Sequence, residues 1–132
     1  KIISFFVKNN RNHDLVIYSC TSGYPVQFED ICLYEINRLY EKYDEDVKRI
    51  GFSGHHLGIA ADIAALAMRA SIIERHFTLD RTWKGTDHSA SLEPDGMRKL
   101  ARDLQNVFKS FNYKRSEILE VEEPQRKKLK RL

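Results

Sequence analysis

An α/β fold built on a parallel sheet is what this sequence predicts, and three observations predict it. Short β-branched apolar runs alternate with stretches of helical periodicity. Three strand–loop–helix units follow one another, an order that needs helical crossovers between parallel strands. The loops leaving the strand ends are rich in Ser, Tyr, His, Asp and Lys, whereas the loops on the other side are ordinary. That asymmetry is typical of folds whose chemistry sits at the C-terminal strand ends.

The elements follow in order. Residues 1–8, Lys-Ile-Ile-Ser-Phe-Phe-Val-Lys, read as the end of a helix that Asn9-Asn10 would stop. Leu15 to Cys20 is a β-branched apolar run and so a buried strand, ending in the turn-rich loop Thr21-Ser22-Gly23-Tyr24-Pro25. Glu29-Asp30 are expected to open a helix, since acidic side chains favour its positive N-terminus. Ile36, Leu39, Tyr40 and Tyr43 would form its apolar face, and Asp44-Glu45-Asp46 would close it. Arg49 to Ser53 is a second strand, ending in Gly54-His55-His56. Leu57 to Ala70 is almost all small or apolar, with Asp62 the exception within it, which predicts a buried helix. Ser71 to Phe77 reads as a third strand, and a polar loop runs from Thr78 to Leu92. Pro94-Asp95 then begins a helix, proline suiting its first turn. Met97, Leu100, Ala101, Leu104, Val107, Phe108 and Phe111 give it an apolar stripe.

Composition limits the function. At 132 residues, 42% hydrophobic and 31% charged, the chain can build one core and is not expected to be disordered. No apolar run approaches the roughly 18 residues of a membrane span, and no signal peptide opens the chain. Residues 1–113 carry 15 basic and 15 acidic side chains, so the net charge of +3 comes from the 7 basic and 4 acidic side chains of residues 114–132. A terminal run, Arg126 to Arg131, reads as a solvated tail or linker and not as the basic, aromatic-interleaved face of a nucleic-acid binder. Cys20 and Cys32 have no zinc-ligand spacing and are expected to be buried, reduced thiols of a cytoplasmic protein.

Candidate functional residues cluster on the three strand-end loops: Ser22 and Tyr24, then Ser53, His55 and His56, then His76, Lys84, Asp87 and His88. Taken singly each has an ordinary reading. A strand-end histidine is commonly a hydrogen-bonded structural residue, Ser22 and Ser53 can close turns, and Tyr24 can pack against Pro25. Together they point further. His55 and His76 end adjacent strands in the same sense, so their imidazoles can meet over one mouth, and two neutral imidazoles plus water suit a divalent transition metal. No HExxH, GxSxG, P-loop or GxGxxG pattern is present.

These residues also carry a resemblance. Cys20-Thr-Ser-Gly-Tyr-Pro25 with Glu29-Asp30, Gly51-Phe-Ser-Gly-His55 with Gly58, Glu74-Arg-His-Phe-Thr-Leu-Asp80, and the stretch from Trp83-Lys-Gly-Thr-Asp-His88 to Pro94 resemble, in order and spacing, the sialic acid synthase family from about Leu15 to Phe111. The resemblance implies a (β/α)8 TIM barrel, roughly 250 residues when complete, of which this chain would hold the last three strands within residues 1–113. Residues 114–132 would be a charged linker toward an antifreeze-like domain. Lys1 is not Met, so the start is expected upstream, along with the family's catalytic glutamate and lysines.

By the same resemblance, His55 and His76 match the family's metal-ligating histidines, which usually serve manganese. Ser22, which stands where many members have asparagine, would hold phosphoenolpyruvate together with Ser53. Tyr24 and Asp87 match positions that contact the amino sugar. Gly54 replaces an aspartate of some members, and both forms are expected to suit the fold. The Trp83–His88 stretch leans toward members using phosphorylated mannosamine or legionaminic-type sugars. The implied reaction condenses phosphoenolpyruvate with N-acetylmannosamine, its 6-phosphate or a related amino sugar, in a protein expected to be a homo-oligomer at full length. The alternative is a fragment without activity of its own, which binds metal or assembles with a complementary half-barrel.

Overall fold

The computed structural model describes residues 1–130; Arg131 and Leu132, the end of the expected tail, lie outside the described residues. Its centre is a three-stranded parallel sheet in the order β1 (Val16–Cys20), β2 (Arg49–Gly54) and β3 (Ile73–Arg75). The register pairs Ile17 with Ile50, Ser19 with Phe52 and Cys20 with Ser53, and then Phe52 with Ile73 and Ser53 with Glu74. Helix α1 (Ile2–Lys8) precedes β1, α2 (Glu35–Tyr43) links β1 to β2, α3 (Ala60–Ala67) links β2 to β3, and α4 (Pro94–Ser110) follows β3. A short helix α5 (Glu123–Leu129) comes last.

The core lies between the sheet and the two crossover helices. Phe52, in the central strand, packs with Val26, Ile31, Ile36, Ala61, Ala65 and Ala70. Small residues on α3 let that helix lie close to the strands, which is why its apolar run contains alanines where larger side chains would hold it off. On the other face, a Cβ at Gly51 would stand 2.7 Å from the Tyr18 ring and 2.8 Å from the Ile72 carbonyl. Only glycine lets those neighbours approach so closely.

Several element boundaries differ from expectation. Residues 28–30 form only a single 3-10 turn, and α2 starts at Glu35, not at Glu29-Asp30. Cys32 explains it: at φ 53° it turns the chain left-handed and interrupts any helix through it. Helix α3 starts at Ala60 and not at Leu57, because Gly58 holds φ 76°, and Arg69, also at 76°, ends it. Strand β3 spans three residues of the expected seven, with one further bridge between Phe77 and Leu92. Of the α4 stripe only Leu100 is buried; Ala101, Phe108 and Phe111 are exposed, because the helix packs on α3 and its later turns run on past it. Both cysteines are exposed and not buried, Cys20 at the rim of the sheet and Cys32 on its turn. No described helix is long and apolar enough to cross a membrane.

Candidate functional site

The two histidines converge. His55 follows the last residue of β2 and His76 the last residue of β3, and parallel strands deliver both to the same end of the sheet. Their ring centroids lie 5.0 Å apart at an interplanar angle of 67°. Tyr24, from the loop after β1, completes an aromatic triangle at 4.6 Å from the His55 ring and 5.6 Å from the His76 ring. Asp87, from the loop after β3, brings Oδ2 to 3.7 Å from His76 Nδ1. The mouth is graded in exposure: His55 is 6% exposed, and the side chains of His76 and Asp87 are 34% and 51% exposed.

The backbone fixes both histidines. The Val26 amide donates to the His55 carbonyl at 3.0 Å, and the Leu92 amide to the His76 carbonyl at 2.8 Å. His55 Nδ1 lies 2.9 Å from the Thr21 carbonyl oxygen. A carbonyl only accepts, so Nδ1 carries a proton, and in the neutral ring Nε2 is the nitrogen with the free lone pair. This is the arrangement by which protein metal sites orient a ligating imidazole. Cys20 Sγ stands 4.0 Å from the same nitrogen.

The other expected residues divide. Ser53 is buried, and its hydroxyl donates to Glu74 Oε1 at 2.8 Å. That proton is therefore already engaged, and Glu74 is a mouth residue that the loop-by-loop reading passed over. The strand pairing of Ser53 with Glu74 was the signal that would have found it. Ser22 is exposed at the rim. Lys84 is exposed on its loop, and His88 turns away from the mouth, Nδ1 sharing a 2.8 Å hydrogen bond with Thr78 Oγ1 while its ring meets Trp83. In the same loop, Asp80 accepts from the Thr82 hydroxyl and amide, which hold its carboxyl below the ordinary range.

His56 points the other way from His55, into the protein, and is fully buried. There it meets Asp62 of α3, with Nε2 3.4 Å from Oδ2, and the guanidinium of Arg75. The expectation that an aspartate would fit at position 54 fails here. A Cβ on Gly54 would lie 2.9 Å from both the His56 and Phe52 rings, so His56 occupies the space a side chain needs.

Among the described residues no three or more His, Cys, Asp or Glu side chains are grouped so that they could by themselves hold a metal ion. His55 and His76 supply two imidazole donors, and the neutral His55 ring is held in the tautomer that leaves Nε2 free. That donor set fits a divalent transition metal sharing its remaining positions with oxygen ligands.

The NeuB family model matches residues 1–116. The human N-acetylneuraminate-9-phosphate synthase is 44% identical over 111 residues, covering 84% of this chain and 30% of that protein. An N,N'-diacetyllegionaminic acid synthase of Legionella pneumophila is 37% identical over 112 residues, 83% of this chain and 31% of that protein. The crystal structure of the N-acetylneuraminic acid (sialic acid) synthetase of Leptospira borgpetersenii superposes with a TM-score of 0.75 at 32% identity, covering 98% of this chain and 44% of that one. The chain spans about 30% of the length of the curated relatives it matches. With the family's model matching most of its length, the chain belongs to the NeuB family.

Proposed function

We propose that this chain supplies the last three strands of a (β/α)8 barrel that condenses phosphoenolpyruvate with N-acetylmannosamine, its 6-phosphate or a related amino sugar, releasing phosphate and forming a sialic acid or its 9-phosphate. The observation that carries the reading is the meeting of His55 and His76 beside Tyr24 and Asp87 at one end of a parallel sheet. Relatives named for phosphorylated neuraminate and for legionaminic acid support the substrate class and leave the particular sugar open.

Condensation requires the enol carbon to attack an aldehyde carbon, so charge develops on the aldehyde oxygen. A divalent metal held by His55 and His76, manganese by family resemblance, would polarise that oxygen as a Lewis acid. The chain's own residues do the placing. His55 donates a hydrogen bond from Nδ1 to the Thr21 carbonyl, which leaves Nε2 of the neutral ring as its metal donor. Asp87 lies on the Nδ1 side of His76 and, half exposed, is free to accept hydrogen bonds from sugar hydroxyls. Tyr24 offers an apolar wall with a hydroxyl at its tip. Ser22 has an exposed hydroxyl for anionic phosphoenolpyruvate; Ser53 can contribute only if its proton leaves Glu74. Holding two reactants in register is worth up to about 7–11 kcal/mol of barrier. Residues 1–113 form the barrel portion in this reading and 114–132 a linker, with the catalytic glutamate and lysines on earlier strands. The full-length protein is a cytoplasmic homo-oligomer.

A second reading rests on the sheet itself. Among the described residues β1 and β3 each pair on one side only, and such edges seek a partner, so the chain alone would bind metal or assemble with a complementary half. Phosphate release from phosphoenolpyruvate with Mn²⁺, with N-acetylmannosamine and its 6-phosphate supplied in turn, tests both. Turnover with one sugar supports the first reading and names the substrate. Silence with both sugars in a folded sample that binds Mn²⁺ would mark the chain alone as an incomplete enzyme, as the second reading has it, and would leave its place in the parent barrel standing. In a complete barrel His55→Ala and His76→Ala should each abolish turnover and Mn²⁺ binding; a variant that keeps both removes that histidine from the site.

A further inference from the structure

The alternation of a strand sends Glu74 and His76 to one face of the sheet and Arg75 to the other. Arg75 points beneath α3, its side chain 1% exposed. There its guanidinium meets one carboxylate and three carbonyls, and lies 3.4 Å from His56 Nε2. One nitrogen donates to Asp62 Oδ2 at 2.5 Å and to the Gly58 carbonyl at 2.8 Å. The other donates to the His56 carbonyl at 2.7 Å and, more weakly, to the Ala90 carbonyl at 3.4 Å. His56 is the residue after His55, Arg75 the residue before His76, and Ala90 ends the short turn that follows Asp87. One buried side chain thus starts from the residue before His76, bonds to the carbonyl next to His55 and reaches the end of the turn that Asp87 begins.

We propose that Arg75 is a positioning residue, whose bonds to the His56, Gly58 and Ala90 carbonyls hold His55, His76 and Asp87 in mutual register. The inference rests on the two-histidine site described above and extends it to a residue that does not face it. The chemistry is specific to arginine. A planar fork with several fixed donors can serve three carbonyls and a carboxylate together, whereas a lysine ammonium in the same place serves one direction at a time. Asp62 keeps the guanidinium charged partner in a place without water.

The experiment reads the imidazoles directly, by ¹⁵N NMR of the histidine rings in the wild type, Arg75→Lys and Asp62→Asn, with Mn²⁺ alone added afterwards. In the wild type His55 should be a single Nδ1–H tautomer. Arg75→Lys, folded by circular dichroism, should show mixed tautomers at His55 and Mn²⁺ affinity lowered at least about tenfold, the range for outer-shell partners. Asp62→Asn lowers stability but leaves the arginine its carbonyl bonds, so its His55 signal should stay as in the wild type. A wild-type His55 signal in folded Arg75→Lys overturns the proposal. If Arg75→Lys does not fold, Asp62→Asn decides: a preserved signal supports the arginine's carbonyl bonds as the holding element, and a scrambled one overturns it. Absence of Mn²⁺ broadening in the wild type would instead sink the metal reading, while the tautomer comparison still decides the role of Arg75.

Discussion

Two helices of this chain carry an aspartate in their first turn, and the two are used in opposite ways. Asp62 of α3 is fully buried and pairs with Arg75, which comes from β3. Asp95 of α4 is 61% exposed and pairs with Arg98 and Lys99 of its own helix, one turn on. Both sit where the helix dipole favours a negative charge. The difference is what each pair connects. The Asp62 pair joins a helix, a strand and two loops and fixes one end of the sheet. The Asp95 pair joins a helix to itself, with water competing for every contact. Burial turns the same ion-pair chemistry from a local convenience into a long-range constraint, and it also makes the pair costly to break.

Asp62→Ala should therefore have the largest effect. Removing one partner strands a buried guanidinium, for which about 3–5 kcal/mol is typical, a large share of the roughly 5–15 kcal/mol that holds an ordinary domain together. Urea unfolding followed by circular dichroism would show it as a midpoint shifted far down or a chain already unfolded in buffer. A midpoint within error of the wild type would mean that the pair is solvated and the comparison unsound.

Gly54→Asp comes next and probes the third member of the buried group. The new Cβ would press on the rings of His56 and Phe52, each about as buried as a side chain can be. Overpacking of this kind costs about 1–3 kcal/mol. His56→Ala should itself be destabilising, but in combination with Gly54→Asp the loss should fall short of the sum, since one change clears the space the other needs. Strict additivity in the double-mutant cycle would show that His56 does not fill that space.

These contrasts also explain what could be read without coordinates. β1 follows from a β-branched run, β2 from a short stretch that ends in Gly54-His55-His56 and α4 from a proline at a helix start, and the convergence of His55 with His76 follows from parallel strands alone. The start of α2 was hidden because the chain reverses at Cys32, a residue with no reputation for left-handed backbone. The burial of the α4 stripe was over-read because periodicity says which face is apolar, not whether anything covers it; Phe108 and Phe111 stay exposed. The Arg75 cluster was half legible. A single aspartate in an otherwise apolar helix must find a partner or stay neutral, but Arg75 lies on another element and only the fold could make the match.

The smallest effect belongs to Asp95→Asn, and its shape with pH tests the comparison more finely than its size. Lys99 and Arg98 donate to the Asp95 carboxylate and hold its pKa down to about 2 from the usual 3.8. A carboxyl whose pKa falls on folding contributes stability above its unfolded value and loses it as pH drops through the folded one. Whatever Asp95 adds is thus fully present above about pH 4 and gone by about pH 2. Because the group is exposed and screened, the Asp95→Asn midpoint at pH 7 should lie close to the wild type's. Added salt should narrow the difference further, and the two proteins should converge as pH falls from 4 to 2. If instead the pH 7 difference matched that of Asp62→Ala, exposure would not be what separates the two aspartates, and the constraint would have to lie in the helix ends themselves.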